Sequence, residues 1–118
     1  MNQKTSKIDL GIGLDDSELA SYIFSRKKNE LVVEIQAWNL CKVNITFIEP
    51  LYFIDRGCQF VTEFCELMSD SPFLEEVLKN NFEQLPQNHC YRLFQLLDLD
   101  EKPALEIVCR DIAVTLHK

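Results

Sequence analysis

Residues 31–38 read Leu31-Val32-Val33-Glu34-Ile35-Gln36-Ala37-Trp38, and this stretch decides the fold class. Leu31, Val33, Ile35 and Ala37 fall on one side of an extended chain, and Val32, Glu34, Gln36 and Trp38 on the other. Period-2 alternation sustained over eight residues predicts a half-buried antiparallel strand, because successive side chains of a strand point to opposite faces. Working outward, residues 19–26 predict a preceding strand, joined to the first by the polar turn Arg26-Lys27-Lys28-Asn29. Asn39 to Lys42 turns the chain, and Val43-Asn44-Ile45-Thr46-Phe47 repeats the alternation. Glu49-Pro50 interrupts it before Leu51-Tyr52-Phe53-Ile54, a further short strand or a continuation past a bulge. Proline donates no ladder hydrogen bond, so an edge or a kink is expected there.

Towards the amino terminus, Ile8 to Leu14 alternates and predicts a short strand weakened by Gly11 and Gly13, while Met1 to Lys7 carries no periodic apolar signal and is expected to be disordered. Beyond Arg56-Gly57 the period changes. Val61, Phe64, Cys65 and Met68 fall at i, i+3, i+4 and i+7, the stripe of a helix. A second helix starts after Ser71-Pro72, a cap followed by a first-turn proline, and would bury Phe73, Leu74, Val77, Leu78 and Phe82. Tyr91 to Leu97 and Ala104 to Cys109 flank Asp98-Leu99-Asp100-Glu101-Lys102-Pro103, a hairpin with an acidic tip, and Ile112 to Leu116 extends its second arm. The reading is one α+β domain over residues 1–118: mainly an antiparallel sheet of about six strands, with one or two short helices.

A chain of 118 residues with 47% apolar content can bury one core without metal or disulfide support. No charged-then-apolar leader and no apolar run long enough to span a bilayer is visible, and the five cysteines (Cys41, Cys58, Cys65, Cys90, Cys109) are odd in number and set in apolar contexts. Buried free thiols of a reducing compartment fit that pattern, so a cytoplasmic location is expected. Catalytic chemistry is not expected. His89 and Cys90 are adjacent, which in an extended chain points their side chains apart, and His117 stands alone near the end. No Cys-x-x-Cys pair or phosphate-cradling glycine loop occurs, so no metal ligands, cofactor or catalytic residues are assigned. Consecutive or loop acids such as Glu75-Glu76 and Asp98/Asp100 are ordinarily solvated.

Charge is unevenly placed. Residues 1–60 carry 8 acids against 7 bases, and residues 61–118 carry 11 against 5, so the second half supplies most of the net charge of −7. A field of that sign repels nucleic acid and anionic lipid and draws basic partners. On the first predicted helix Glu63, Glu66 and Asp70 share one face, Glu75 and Glu76 follow in the next helix, and Asp98, Asp100 and Glu101 line the hairpin tip. These eight acids are the expected partner-binding residues, gathered into one outward patch. Trp38 is a ninth candidate: either it packs a second small core against a helix, or it stands exposed as a binding anchor.

The run Leu31 to Asn39 followed by Val43 to Phe47, together with the Tyr91–Asp100 and Pro103–Val108 hairpin, resembles small bacterial immunity proteins of contact-dependent growth inhibition and related polymorphic toxin systems. The likeness covers residues 20–116 and rests on sheet patterns. It implies a cytosolic antidote that forms a 1:1 complex with a cognate toxin domain, often a basic nuclease, and blocks its active site or substrate groove. Toxin-contacting residues differ among such proteins, so the resemblance carries over no site. Two other readings stand beside it: a regulatory or adaptor domain using Trp38 and the Tyr52-Phe53 region, and a small enzyme with a carboxylate site.

Overall fold

In the computed structural model, which describes residues 5–67, 72–82 and 90–117, the described residues form ten strands and one helix. They are β1 (Thr5–Lys7), β2 (Ser17–Ser25), β3 (Glu30–Gln36), β4 (Lys42–Ile48), β5 (Tyr52–Asp55), β6 (Phe60–Val61), β7 (Glu63–Leu67), α1 (Pro72–Asn81), β8 (Arg92–Leu97), β9 (Pro103–Cys109) and β10 (Asp111–His117). The α+β class with antiparallel pairing holds, and the strands divide between two five-stranded sheets in place of a single sheet of about six. One sheet runs β1-β7-β8-β9-β5 and the other β10-β4-β3-β2-β6, with every paired neighbour antiparallel.

The alternation in residues 31–37 does what the pattern predicts. Leu31, Val33 and Ile35 of β3 and Val43, Ile45 and Phe47 of β4 are fully buried, and the intervening residues are half-buried on the outer face. Opposite them, Phe64, Phe94, Leu96, Leu105 and Ile107 come from the other sheet to complete one core. Phe47 meets Phe64 edge-on and Phe94 at a tilt, each with ring centroids 6.0 Å apart. Phe64 and Phe94 stack at 5.6 Å.

Of the helix predicted over residues 61–68, residues 61–67 form β6 and β7 instead, and Met68 lies outside the described residues. Phe64 faces the inter-sheet core, while Leu67, two residues on from Cys65, lies against the helix α1 cluster. A strand covered on both faces is apolar on both, so its alternation disappears and its spacing mimics a helical stripe. For the same reason six consecutive residues of β9, Ala104 to Cys109, are buried. The helix α1 forms where Pro72 predicted it, and Leu74, Val77 and Leu78 pack on Leu67, Leu93 and Val108, with Phe73 against Tyr52. Phe82, expected in that buried row, is exposed and rests on Tyr91.

Two further expectations change. Residues 8–14 are irregular and not a strand, yet Leu10 and Leu14 insert into the core and the Ile8 amide donates to the Phe64 carbonyl at 2.8 Å. Gly11 lies beside Leu116 at φ 81°, a backbone conformation that residues with a Cβ rarely adopt. Within residues 1–7, expected to be disordered, Thr5–Lys7 pairs with β7 through Thr5 opposite Leu67; residues 1–4 lie outside the described residues. The extension past Arg110 is also redirected. Strand β9 ends in one sheet, the Arg110 amide donates to the Ile48 carbonyl at 2.9 Å, and β10 starts in the other sheet beside β4.

The aromatic contact between the sheets gives a direct test. Phe47→Ala removes a fully buried ring from the inter-sheet core and should cost about 3–5 kcal/mol in urea unfolding. Trp38→Ala, at a position 62% exposed, should change stability by less than about 0.5 kcal/mol.

Candidate functional site

The expected single patch of eight acids is divided by the fold. Glu63 and Glu66 sit on a strand, where they point to opposite faces, and each has a cation. Glu66 accepts two hydrogen bonds from Arg92, at 2.8 Å from Nε to Oε2 and 2.8 Å from Nη2 to Oε1. The same guanidinium reaches Asp111 Oδ1 at 3.2 Å and lies 4.9 Å from the centre of the Phe94 ring. Paired in this way, Arg92 is held above its ordinary pKa, first by the Glu66 hydrogen bond. Glu63 has Lys7 Nζ at 3.9 Å. Asp70 lies outside the described residues. Glu75 and Glu76 are exposed on α1, which packs beside Leu67, Leu93 and Val108. The β8–β9 turn carrying Asp98, Asp100 and Glu101 follows Leu97, at the far end of β8. Helix acids and turn acids therefore face different regions of surface.

The turn acids have other neighbours, drawn from the first half of the chain. The Thr62 amide donates to the Leu97 carbonyl at 2.8 Å, and the Thr62 hydroxyl to the Asp98 carbonyl at 3.2 Å, tying β6–β7 to the turn. Phe60 pairs with Glu18, and Gln59 Nε2 donates to Glu18 Oε1 at 3.0 Å. Ser17, which follows Asp15-Asp16, pairs with Val61. Cys58 donates its thiol proton to Asp98 Oδ2 at 3.5 Å. Asp55 closes β5 opposite Leu105, two strand spacings from β8. One end of the molecule thus gathers Asp15, Asp16, Glu18, Asp55, Asp98, Asp100 and Glu101, with Lys102 as the cation on the turn. Two apolar side chains stand among these acids: Phe60, exposed on β6, and Leu99, 78% exposed at the tip.

Two of these acids are structural. Asp98 Oδ1 accepts the Asp100 amide at 2.8 Å and the Lys102 amide at 3.0 Å, holding Glu101 in a left-handed conformation at φ 59°. These donors, the Lys102 amide foremost, hold the Asp98 carboxyl below its ordinary 3.8. Asp55 accepts the Tyr22 hydroxyl at 3.0 Å and the Gly57 amide at 2.8 Å, and the hydrogen bond to Asp55 raises the Tyr22 pKa. Asp100, Glu101, Asp15 and Asp16 are exposed and free to meet a partner.

Elsewhere, Glu106 is an acid buried on the face of β9 away from the core. It accepts Arg56 Nη2 at 2.7 Å and Gln95 Nε2 at 3.2 Å, and so is neutralised in place. Trp38 is exposed with Leu40 on the β3–β4 turn, so the packed alternative for Trp38 is overturned: nothing crosses that turn to cover it among the described residues. Tyr52 and Phe53 are engaged, Tyr52 with Phe73 and Phe53 with Tyr22 at 5.6 Å, and leave no apolar patch of their own. A groove of about 560 Å³ runs between residues 7–15 and 62–64, lined by Lys7, Asp9, Asp15 and Glu63 among small and apolar side chains. Among the described residues no group of three His, Cys, Asp or Glu is arranged to hold a metal ion, and no helix is long and apolar enough to cross a membrane. His89 lies outside the described residues.

With this geometry in hand, comparison with known proteins adds no relative: no family model, curated protein or solved structure matches the chain.

Two measurements follow from the titrating groups. Because the folded-state pKa of Asp98 is depressed, its stabilisation is present above the unfolded value near 3.8 and is lost as pH falls through the folded one. The stability gap between the wild type and Asp98→Ala, read from urea curves, should be full at neutral pH and shrink below about pH 4. Among the thiols, burial pushes Cys65 up to about 11 and Cys109 up to about 12, and burial followed by Asp98 raises Cys58. Thiolates are the reactive form, so iodoacetamide at neutral pH should label exposed Cys90 first and reach Cys65 and Cys109 only on unfolding.

Proposed function

We propose that the chain is a non-catalytic binding protein that docks its acidic end on a cation-rich partner. In this reading it is a cytoplasmic immunity protein that neutralises a toxin domain, a basic nuclease, by covering its active site or substrate groove. The observation that carries the proposal is the gathering of seven acids from three separate segments, residues 15–18, Asp55 and residues 98–101, around exposed Phe60 and Leu99. Acidic side chains complementary to a basic surface accelerate encounter, and an apolar residue inside such a ring is a common source of affinity. A chain that mimics the polyanion a nuclease grips should be acidic, and this end of the molecule offers exposed carboxylates in the loops and turns beside the sheet ends. The helix acids Glu75 and Glu76 belong to another surface and are not part of this interface.

The test is to mix the chain with the toxin domain encoded beside its gene and follow nucleic-acid cleavage. Inhibition at equimolar protein is expected; full cleavage with the chain in excess overturns the reading. Asp100→Lys with Glu101→Lys leaves the Asp98 scaffold intact and should slow association roughly tenfold at low salt, with a flatter dependence on ionic strength. Leu99→Ala should instead speed dissociation. An unchanged rate with both acids reversed would remove the turn from the interface.

A further inference from the structure

The four sheet edges are unequal. Among the described residues three are short: β1 has 3 residues, β6 has 2 and β5 has 4, the last coming just after Pro50. Short edges are a common way of preventing strand addition. The fourth edge is β10, seven residues long, paired with β4 on one side and, among the described residues, with no strand on the other. It has no proline, and between Asp111 and His117 it carries no charge. The row it continues is the core itself. Ile112, Val114 and Leu116 stand opposite Phe47, Ile45 and Val43 on the inner face. Those three β4 residues are fully buried, whereas Val114 is 36% and Leu116 45% exposed. The core therefore runs out to this edge, where Gly11 lies beside Leu116, Ile112 is partly covered and Val114 is exposed.

We propose that β10 pairs with β10 of a second copy of this chain, joining the β10-containing sheets of two molecules across a two-fold axis at Val114. The sequence of the strand is self-complementary in that register. Reading antiparallel about Val114, Asp111 faces His117, Ile112 faces Leu116, Ala113 faces Thr115, and Val114 faces its own copy. Apolar side chains meet apolar ones on the inner face, and the acid at one end meets the imidazole at the other. A shift by one residue would break this match, because it places the inner-face row of one strand against the outer-face row of the other. Asp111 keeps its bond to Arg92 in such a pair, and Arg92 is shared with Glu66, so this cluster stays net negative towards the incoming histidine. Two-fold pairing of identical patches is the commonest way that small proteins associate.

The second copy would not compete for the acidic end. Phe60 lies on β6, at the opposite edge of the same sheet, about 19 Å from β10 at four strand spacings. The inference is independent of the inhibitor reading, since it rests on the edge and not on the acids.

Sedimentation equilibrium of the whole chain over two decades of concentration around the micromolar range tests it. The weight-average mass should rise from 13.8 kDa towards twice that value as concentration increases. Val114→Lys sets two ammonium groups against each other on the axis and should hold the mass at the monomer value. Val114→Ile should keep the rise, and circular dichroism with the urea midpoint shows that both variants are folded. Amide exchange of the wild type should slow in residues 111–117 alone as concentration increases. A constant monomer mass for the wild type overturns the proposal. So does a rise that survives Val114→Lys in a folded protein, which would place the contact elsewhere.

Discussion

Phe47 touches both Phe64 and Phe94, and through that contact one sheet is held against the other. The rest of the architecture depends on this meeting. Strands β3 and β4 can leave their outer face wet because their inner face is sealed by β7, β8 and β9. Those three strands are sealed in turn on their second face by α1, which contributes Leu74, Val77 and Leu78 to a smaller cluster. The molecule is therefore layered: an open sheet, a central sheet covered on both sides for part of its length, and one helix. Hydrophobic burial of this kind has no direction of its own, so pairing registers and the three-ring contact are what align the layers.

Layering also decides where charge can sit. The central sheet is covered by the core and by α1, so an acid on it needs a partner. Glu66 has Arg92, and buried Glu106 has Arg56 and Gln95. Taking Arg56 away would strand the buried Glu106 carboxylate, so Arg56→Met should be more disruptive than Glu106→Gln, which removes the charge along with the need for it. Strand ends are under no such restriction. The acids that remain free are those in the turns and loops at the end marked by Asp98, where backbone amides fix the turn and water solvates the tips.

The interaction surfaces follow from the same geometry. A sheet stacked on another sheet has ends, which present loops, and edges, which present backbone. Here one end is acidic with Phe60 and Leu99 protruding, and one edge is long and apolar. The first suits a rigid, charge-complementary partner, and the second suits a strand. They use different atoms: Phe60 stands on β6, at the opposite edge of the β10 sheet, and Leu99 on the β8–β9 turn of the other sheet.

Alternation in residues 31–37 and 43–47, the proline-started helix at Pro72 and the hairpin around Asp98 were all legible in the sequence, because each is local: a period, a cap, a turn. What failed was every inference that needed to know what lay on the other face. The stretch from Val61 read as a helix because a strand buried on both sides loses its alternation, and Glu63 and Glu66, placed on one helix face, stand on opposite faces of a strand. Trp38 could not be assigned as packed or exposed, since that depends on whether another segment crosses the β3–β4 turn. The link between Asp55, Glu18 and Asp98, and the open edge at β10, exist only once the strands are ordered. Local hydrogen bonding and side-chain period are properties of consecutive residues; cover and neighbourhood come from segments far apart in the chain, and only their packing settles them.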